Sequence, residues 1–237
     1  MIGIVVVSHS PALAEAAVAL ALQMTGDARP AIAIAAGAGD GVIGTDAVRV
    51  AEAIDEVASP EGVLVFMDLG SAVLSTTMAL EFRESTSEVR LSSAPFVEGI
   101  VAGVVLAAAG ASLDEADREA SSAMTAKNAQ LGTADPPLVP PAAPSDAEAV
   151  AEATIVNDVG LHARPASVIV ASMAAFDASV TIADADDPKR AASASSLLAL
   201  MGLALGKGTR LRISGTGPDA AAAVESVRAM TADGYGE

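Results

Sequence analysis

Four times in the first 110 residues, a short aliphatic, largely β-branched run gives way to a turn and then to an alanine-rich stretch. The runs are IGIVVV at 2–7, AIAIAA at 31–36, VLVFM at 63–67 and VRLS at 89–92. Runs this apolar suit strands buried on both faces. Pro11 fits the first turn of a helix predicted over 12–24. Thr45 and Asp46 can cap a second helix over 46–57, and Ser71 a third that runs to about 84. The stretch SAPFVEG leads into a fourth helix, and a fifth is predicted from 112 to about 130. Each strand-helix unit takes roughly 25–30 residues, which leads to a doubly wound, mainly parallel sheet with helices on both faces.

The pattern stops at 131–150, which hold five of the 12 prolines and have no helical or strand period. Such a stretch makes a semi-rigid extended linker and the natural domain boundary. We therefore expect domains over 1–130 and 151–237. In the second, strands are predicted over 153–157, 179–183, 190–193 and 209–214, with helices over 163–175, 196–203 and 219–231. About 85 residues suffice for an open-faced α/β sandwich. The order of elements suits an antiparallel sheet covered on one face.

Composition removes several functions. The net charge of −17 argues against nucleic acid and anionic membranes as partners. The charge is uneven: 1–130 carry 6 basic and 17 acidic residues, net −11, and 151–237 carry 7 and 10, net −3. The absence of cysteine excludes disulfides, thiol catalysis and Cys-ligated metals. Two histidines make no dense metal cluster, and no metal is expected. No Walker A motif, dinucleotide fingerprint or nucleophile elbow is present, so no nucleotide cofactor is implied. The chain enters a strand at once, without the basic flank of a signal peptide, and no uninterrupted apolar run reaches the roughly 18–20 residues of a membrane span. These features read as a cytoplasmic protein.

The two histidines occupy equivalent places. His9 follows the first strand and precedes Pro11; His162, in GLHARPAS, follows a strand and precedes an alanine-rich helix. Ligands of open α/β sheets gather at the carboxyl ends of the strands. There the first domain also delivers Thr45-Asp46 and Asp68-Leu69-Gly70-Ser71. A carboxylate orients an imidazole and makes its other nitrogen more nucleophilic, a role open to Asp68. Glycine-rich backbone and helix N-termini supply N–H groups for a phosphoryl group, which makes Thr45, Gly70 and Ser71 candidates for binding it. The bland alternatives are a flexible loop, helix caps and a surface carboxylate. At the second histidine, the helix dipole disfavours the imidazolium and would stabilise a phosphate dianion, with Arg164 assisting.

GLHARPAS, the segment SLLALMG at 196–202 and the GTGPDA turn at 215–220 closely resemble HPr, the histidine phosphocarrier of the phosphoenolpyruvate-dependent sugar phosphotransferase system. The resemblance implies that His162 is phosphorylated by enzyme I with Arg164 assisting. It places the family's regulatory serine on Ser196, although the lysine usually before it is Ser195 here. Residues 1–125 resemble mannose-family IIA domains. Through IGTDA, MDLGSA and APFVEG they resemble in particular the DhaM family, phosphoryl-donor subunits of dihydroxyacetone kinase. That resemblance implies a phosphohistidine at His9 with Asp68 beside it, and a homodimer through the N-terminal domain. It also implies a phosphotransferase, with enzyme I and the ADP-binding and dihydroxyacetone-binding kinase subunits as partners. Two other readings stay open: a component of a mannose-type sugar transporter, and a non-catalytic module read in its phosphorylated state.

Overall fold

The computed structural model describes residues 1–39, 41–131 and 149–236, which form two compact units, Met1–Ala123 and Met124–Glu237. The proline-rich stretch expected as a linker over 131–150 lies, from 132 to 148, outside the described residues.

The first unit alternates strand and helix: β1 (Gly3–Ser8), α1 (Pro11–Leu22), β2 (Ile32–Ala36), α2 (Ala47–Glu56), β3 (Val63–Met67), α3 (Gly70–Ala79), β4 (Val89–Leu91), α4 (Phe96–Ala108) and α5 (Leu113–Ser121). The four strands form one parallel sheet in the order β2-β1-β3-β4. Both faces are covered, as expected. Val5, Val7, Ala33, Ala35, Val63 and Val65 point to one face and meet Val50 and Ile54 of α2 and Ala72 of α3. The alternate residues Ile4, Val6, Leu64 and Phe66 point to the other, where α1, α4 and α5 pack. Burial on both sides explains why the strands read as continuous apolar runs and not as alternation.

Close packing fixes the end of β3. Gly99 and Gly103 stand one turn apart on α4. A Cβ on Gly103 would fall 2.5 Å from Phe66 Cζ, and one on Gly99 2.6 Å from the Ala94 Cβ. The Phe66 ring thus fills a trough that only glycines leave open, two residues before Asp68.

Three helical expectations differ from the structure. Ser71 is not the cap of α3. Leu69 holds that position, without a side-chain bond, and Ser71 lies inside the first turn. The helix also stops at Ala79, where the bonding shifts to three-residue turns, Glu81 N–H to the Met78 carbonyl and Phe82 N–H to the Ala79 carbonyl, both at 3.1 Å; beyond them the Asp55 carboxylate of α2 accepts the N–H groups of Glu84 and Ser85, both at 2.8 Å. The helix predicted over 112–130 is two: α5 ends at Ser121 and α6 spans Ala123–Gln130. At the break, the Ser122 hydroxyl bonds the Glu119 carbonyl at 2.8 Å, competing with the helical ladder. Ser112 does cap α5, in a reciprocal box with Glu115, and Asp46 caps α2.

Besides α6, which falls almost wholly within its bounds, the second unit contains β5 (Ala149–Thr154), α7 (Ala163–Met173), β6 (Ser179–Asp184), β7 (Ala191–Ser193), α8 (Leu197–Gly202), β8 (Arg210–Thr216) and α9 (Ala220–Ala232), then a 3₁₀ turn at Gly234–Gly236. Its sheet is antiparallel in the order β5-β8-β6-β7. Along β8, Leu211 and Ile213 are buried while Arg210 and Arg212 are exposed, the mark of a sheet covered on one face. β5 begins four residues before its predicted start. It pairs with β8 from Ala149↔Gly215 to Thr154↔Arg210, and Ile155, which drew the prediction forward, is buried just beyond the strand.

Candidate functional site: two histidines at helix N-termini

β1 and β3 are neighbours in register, Val7 opposite Met67, so the next residues of both chains leave the sheet side by side. His9 and Asp68 are therefore brought together by strand pairing. His9 Nδ1 lies 2.8 Å from Asp68 Oδ1, and the His9 backbone N–H donates to Asp68 Oδ2 at 2.8 Å. Two further donors complete the carboxylate: the Ser8 hydroxyl to Oδ2 at 2.9 Å and the Leu69 N–H to Oδ1 at 2.7 Å. A group accepting four hydrogen bonds is an ionised carboxylate. Burial alone would raise the Asp68 pKa. The His9 N–H, the His9 ring and the Ser8 hydroxyl outweigh it and hold the carboxyl below its usual value. The ionised acceptor assigns the imidazole proton to Nδ1 and leaves a lone pair on Nε2.

Nε2 faces the N-terminus of α3, where the Ser71 Oγ stands 2.7 Å away. With a lone pair on Nε2, the hydroxyl is the donor. Gly70 is the first residue of α3, and a Cβ there would meet nothing within 4 Å, so the space above it is open. The first N–H groups of a helix have no partner within it and suit an anion. Ser10 caps α1 on the other side, its Oγ accepting the Leu13 N–H at 3.4 Å.

The glycine-rich loop closes on the same turn. Gly37 N–H donates to the Ser8 carbonyl and Gly44 N–H to the His9 carbonyl, at 3.1 and 3.2 Å. Thr45 bonds not the histidine but Ser75 of α3, Oγ to Oγ at 2.7 Å, and so ties the loop to that helix. A hollow of about 360 Å³ lies at the β2 exit, lined by Pro11, Glu15, Ile34, Ala36 and Arg49 among others; neither His9 nor Asp68 lines it. The His9 side chain is 17% exposed, accessible at the surface and not sunk in a cavity. Sequence reasoning missed Ser8, Ser75 and the Gly44 N–H. The available signal for Ser8 was a polar residue set between the apolar run IGIVVV and His9; the structure buries it wholly.

In the second unit His162 is the N-cap residue of α7, with extended backbone and no capping bond from its side chain. Its carbonyl accepts the Ala166 N–H at 3.0 Å. Arg164 is exposed in the first turn, and Pro165 beside it is buried. Ser196 caps α8, its Oγ accepting the Ala199 N–H at 3.1 Å. Among the described residues no group of three or more His, Asp or Glu could hold a metal, and no helix is long and apolar enough to cross a membrane.

Each of the two α/β units sets an imidazole beside a helix N-terminus, His9 facing α3 and His162 capping α7, and the class that the comparisons give the two units is that of phosphotransferase-system components. The EIIA-man model, described as PTS system fructose IIA component, matches residues 3–117, and the PTS HPr component phosphorylation site model matches 150–233. The chain belongs to the DhaM family, the phosphoryl donor subunits of PEP-dependent dihydroxyacetone kinase. It is 39% identical to DhaM of Klebsiella michiganensis and 41% identical to that of Pantoea ananatis, each over 246 residues and the whole of this chain. It covers 51% of both relatives, so it spans about half the length of these curated proteins. A shorter relative, the donor subunit DhaM of kinase 2 in Listeria innocua, is 37% identical over 107 residues, 44% of this chain and 85% of that protein.

Proposed function

We propose that the chain is a two-step phosphohistidine relay, a phosphotransferase subunit whose domains over 1–130 and 151–237 are joined through 131–150. Enzyme I, charged by phosphoenolpyruvate, phosphorylates His162. His162 passes the group to His9, and His9 delivers it to ADP on the nucleotide subunit of a dihydroxyacetone kinase, whose other subunit binds dihydroxyacetone. The observation that carries this reading is the Asp68–His9 pair, with Nδ1 clamped and Nε2 facing Ser71 at the N-terminus of α3.

In the internal step the Nε2 lone pair of His9 attacks phosphorus. The bond from phosphorus to the His162 imidazole breaks, and its electron pair returns to that ring. The proton on His9 Nδ1 stays in place, held by Asp68, which offsets the positive charge gathering on the ring. In delivery, a terminal phosphate oxygen of ADP attacks, the phosphorus–Nε2 bond breaks, and its pair returns to Nε2. The protein supplies position and charge stabilisation. Arg164 serves the anion at His162. Gly70, Ser71 and the α3 N-terminus serve it at His9, with Thr45 holding the adjoining loop. Covalent connection of the two domains raises the effective concentration of one histidine at the other. A homodimer through the first domain and control at Ser196 belong to the same reading, on the strength of the family resemblance.

Incubation with enzyme I, labelled phosphoenolpyruvate and the kinase subunits tests it. The expected result is acid-labile, base-stable label on His162 and His9 that passes to dihydroxyacetone. Label that stays on the chain in the presence of the kinase subunits, or that passes only to a sugar-transporter component, overturns the assigned acceptor.

A further inference from the structure

The loop that carries His162 runs from the end of β5 at Thr154 to the start of α7 at Ala163. Its tip is exposed: Val159 is 72% accessible, and the Asp158–Lys207 ion pair at 2.6 Å lies in solvent, where such pairs contribute little. What holds the loop lies underneath. Asn157 is buried, and its Nδ2 donates to the Gly160 carbonyl at 2.9 Å. That same carbonyl accepts the backbone N–H of His162 at 3.1 Å. Between them, the Leu161 N–H donates to the Leu205 carbonyl at 2.8 Å. Gly160 has φ +78°, and a Cβ there would fall 2.2 Å from the Leu205 carbonyl oxygen, so the turn admits glycine only. The C-terminal turn closes over Asn157: a Cβ on Gly234 would stand 3.3 Å from Val156 Cγ2 and 3.8 Å from Asn157 Cβ. An amide shielded in this way bonds its acceptor without competition from water.

We infer that Asn157 is a positioning residue for His162. Its amide fixes the Gly160 carbonyl, that carbonyl fixes the His162 N–H, and the backbone of His162 so held sets the direction in which the imidazole leaves the helix N-terminus. The inference rests on the proposed role of His162 as a phosphoryl carrier. Transfer between two proteins needs the nitrogen aligned with phosphorus at near-contact distance, and a displacement of about 1 Å can cost on the order of 100-fold in rate. Asn157 acts on rate through geometry and leaves docking of the donor unchanged.

The test is the initial rate of His162 labelling in the full chain as phosphorylated enzyme I is varied. Asn157→Ala removes the donor. Asn157→Leu keeps roughly its size with no donor, and serves if the alanine variant does not fold. Val180→Ala truncates a buried side chain of β6 opposite Gly215, at the end of the sheet away from Thr154, and controls for stability alone. All are measured at a temperature where circular dichroism finds them folded. The expected result is a kcat about 10- to 100-fold lower for the Asn157 variants with KM within about twofold, and a normal kcat for Val180→Ala despite its lower melting temperature. A parental kcat in a folded Asn157 variant, or an equal loss in Val180→Ala, overturns the inference. A parent chain that takes no label on His162 overturns the relay itself, and the inference with it.

Discussion

Asp68 holds His9 twice, by the ring through Nδ1 and by the backbone through its N–H, each at 2.8 Å. One carboxylate thus sets both where the histidine sits and which of its nitrogens carries the proton. The two contacts use different oxygens, so neither competes with the other. Register makes this possible, because Val7 and Met67 are partners across β1 and β3.

Replacing Asp68 with Asn keeps the volume and removes the charge. The amide has one oxygen for four donors, and it can present N–H to Nδ1 and draw the proton to Nε2. A ring in that tautomer has no lone pair at the surface. We expect transfer to His9 to slow by roughly 10²- to 10⁴-fold, as for other oriented catalytic histidines, with His162 labelled normally. Quench-flow measurement of His9 phosphorylation, with a melting curve on the same sample, checks this; an unchanged rate removes Asp68 from the site.

The fold was legible in the sequence because its strands are buried on both faces and bounded by Gly, Ser, Asp and Pro. The pairing of His9 with Asp68 was legible as a shared sheet edge, since adjacent parallel strands must deliver their exits together. The partners of individual hydroxyls were not. Ser71 can cap a helix or face a ring according to a single residue of helix phase, and no local pattern fixes that phase. Thr45 likewise bonds Ser75, 30 residues away, a contact made by tertiary packing alone. The chain beyond the early end of α3 is held by Asp55 reaching Glu84 and Ser85 from another helix.

That latch gives a pH signature. Burial alone would raise the Asp55 pKa, but the N–H groups of Glu84 and Ser85 prevail and lower it. A carboxyl whose folded pKa is lowered adds stability in full above its unfolded pKa, near 3.9. The contribution disappears as pH falls through the lower folded value. Asp55→Asn should therefore be less stable than the parent by about 1–2 kcal/mol at pH 7, the scale of hydrogen bonds to a partly solvated charge. The deficit should narrow below about pH 4. Urea unfolding at pH 7, 5 and 3 measures it, and a deficit independent of pH would show that the carboxylate charge is not what secures the turn.

The direction of the relay can be read from single-site variants. His162→Ala should leave His9 unlabelled by enzyme I unless free HPr is added, because the first domain then lacks its donor. His9→Ala should leave His162 labelled and stop delivery to the kinase. Proteolysis between 132 and 148 should convert the internal step into a bimolecular one whose rate rises with concentration, since tethering sets the local concentration of the donor. Equal labelling of His9 in the His162→Ala chain without free HPr would reverse the proposed order.

Ser71 works against itself in the resting state, which makes its substitution informative. Its hydroxyl donates to Nε2 at 2.7 Å, along the lone pair that must attack phosphorus. It has to turn away before transfer, and losing a neutral hydrogen bond costs about 0.5–1.5 kcal/mol. Once His9 carries the phosphoryl group, the same hydroxyl can donate to an oxygen of the dianion. A hydrogen bond to a charged group is worth about 1.5–3 kcal/mol, so the gain exceeds the loss by about 1–2 kcal/mol. Ser71→Ala deletes both bonds and keeps the α3 N–H groups. It should shift the equilibrium between the two phosphohistidines toward His162 by roughly 5- to 30-fold, while the rate of the forward step changes far less. Phosphorus NMR of chain charged with less than one phosphoryl group per molecule, with the two signals assigned by the single-histidine variants, measures that ratio. An equilibrium unmoved, or moved toward His9, would mean that the hydroxyl only occupies Nε2 at rest and that the helix N-terminus alone holds the phosphoryl group.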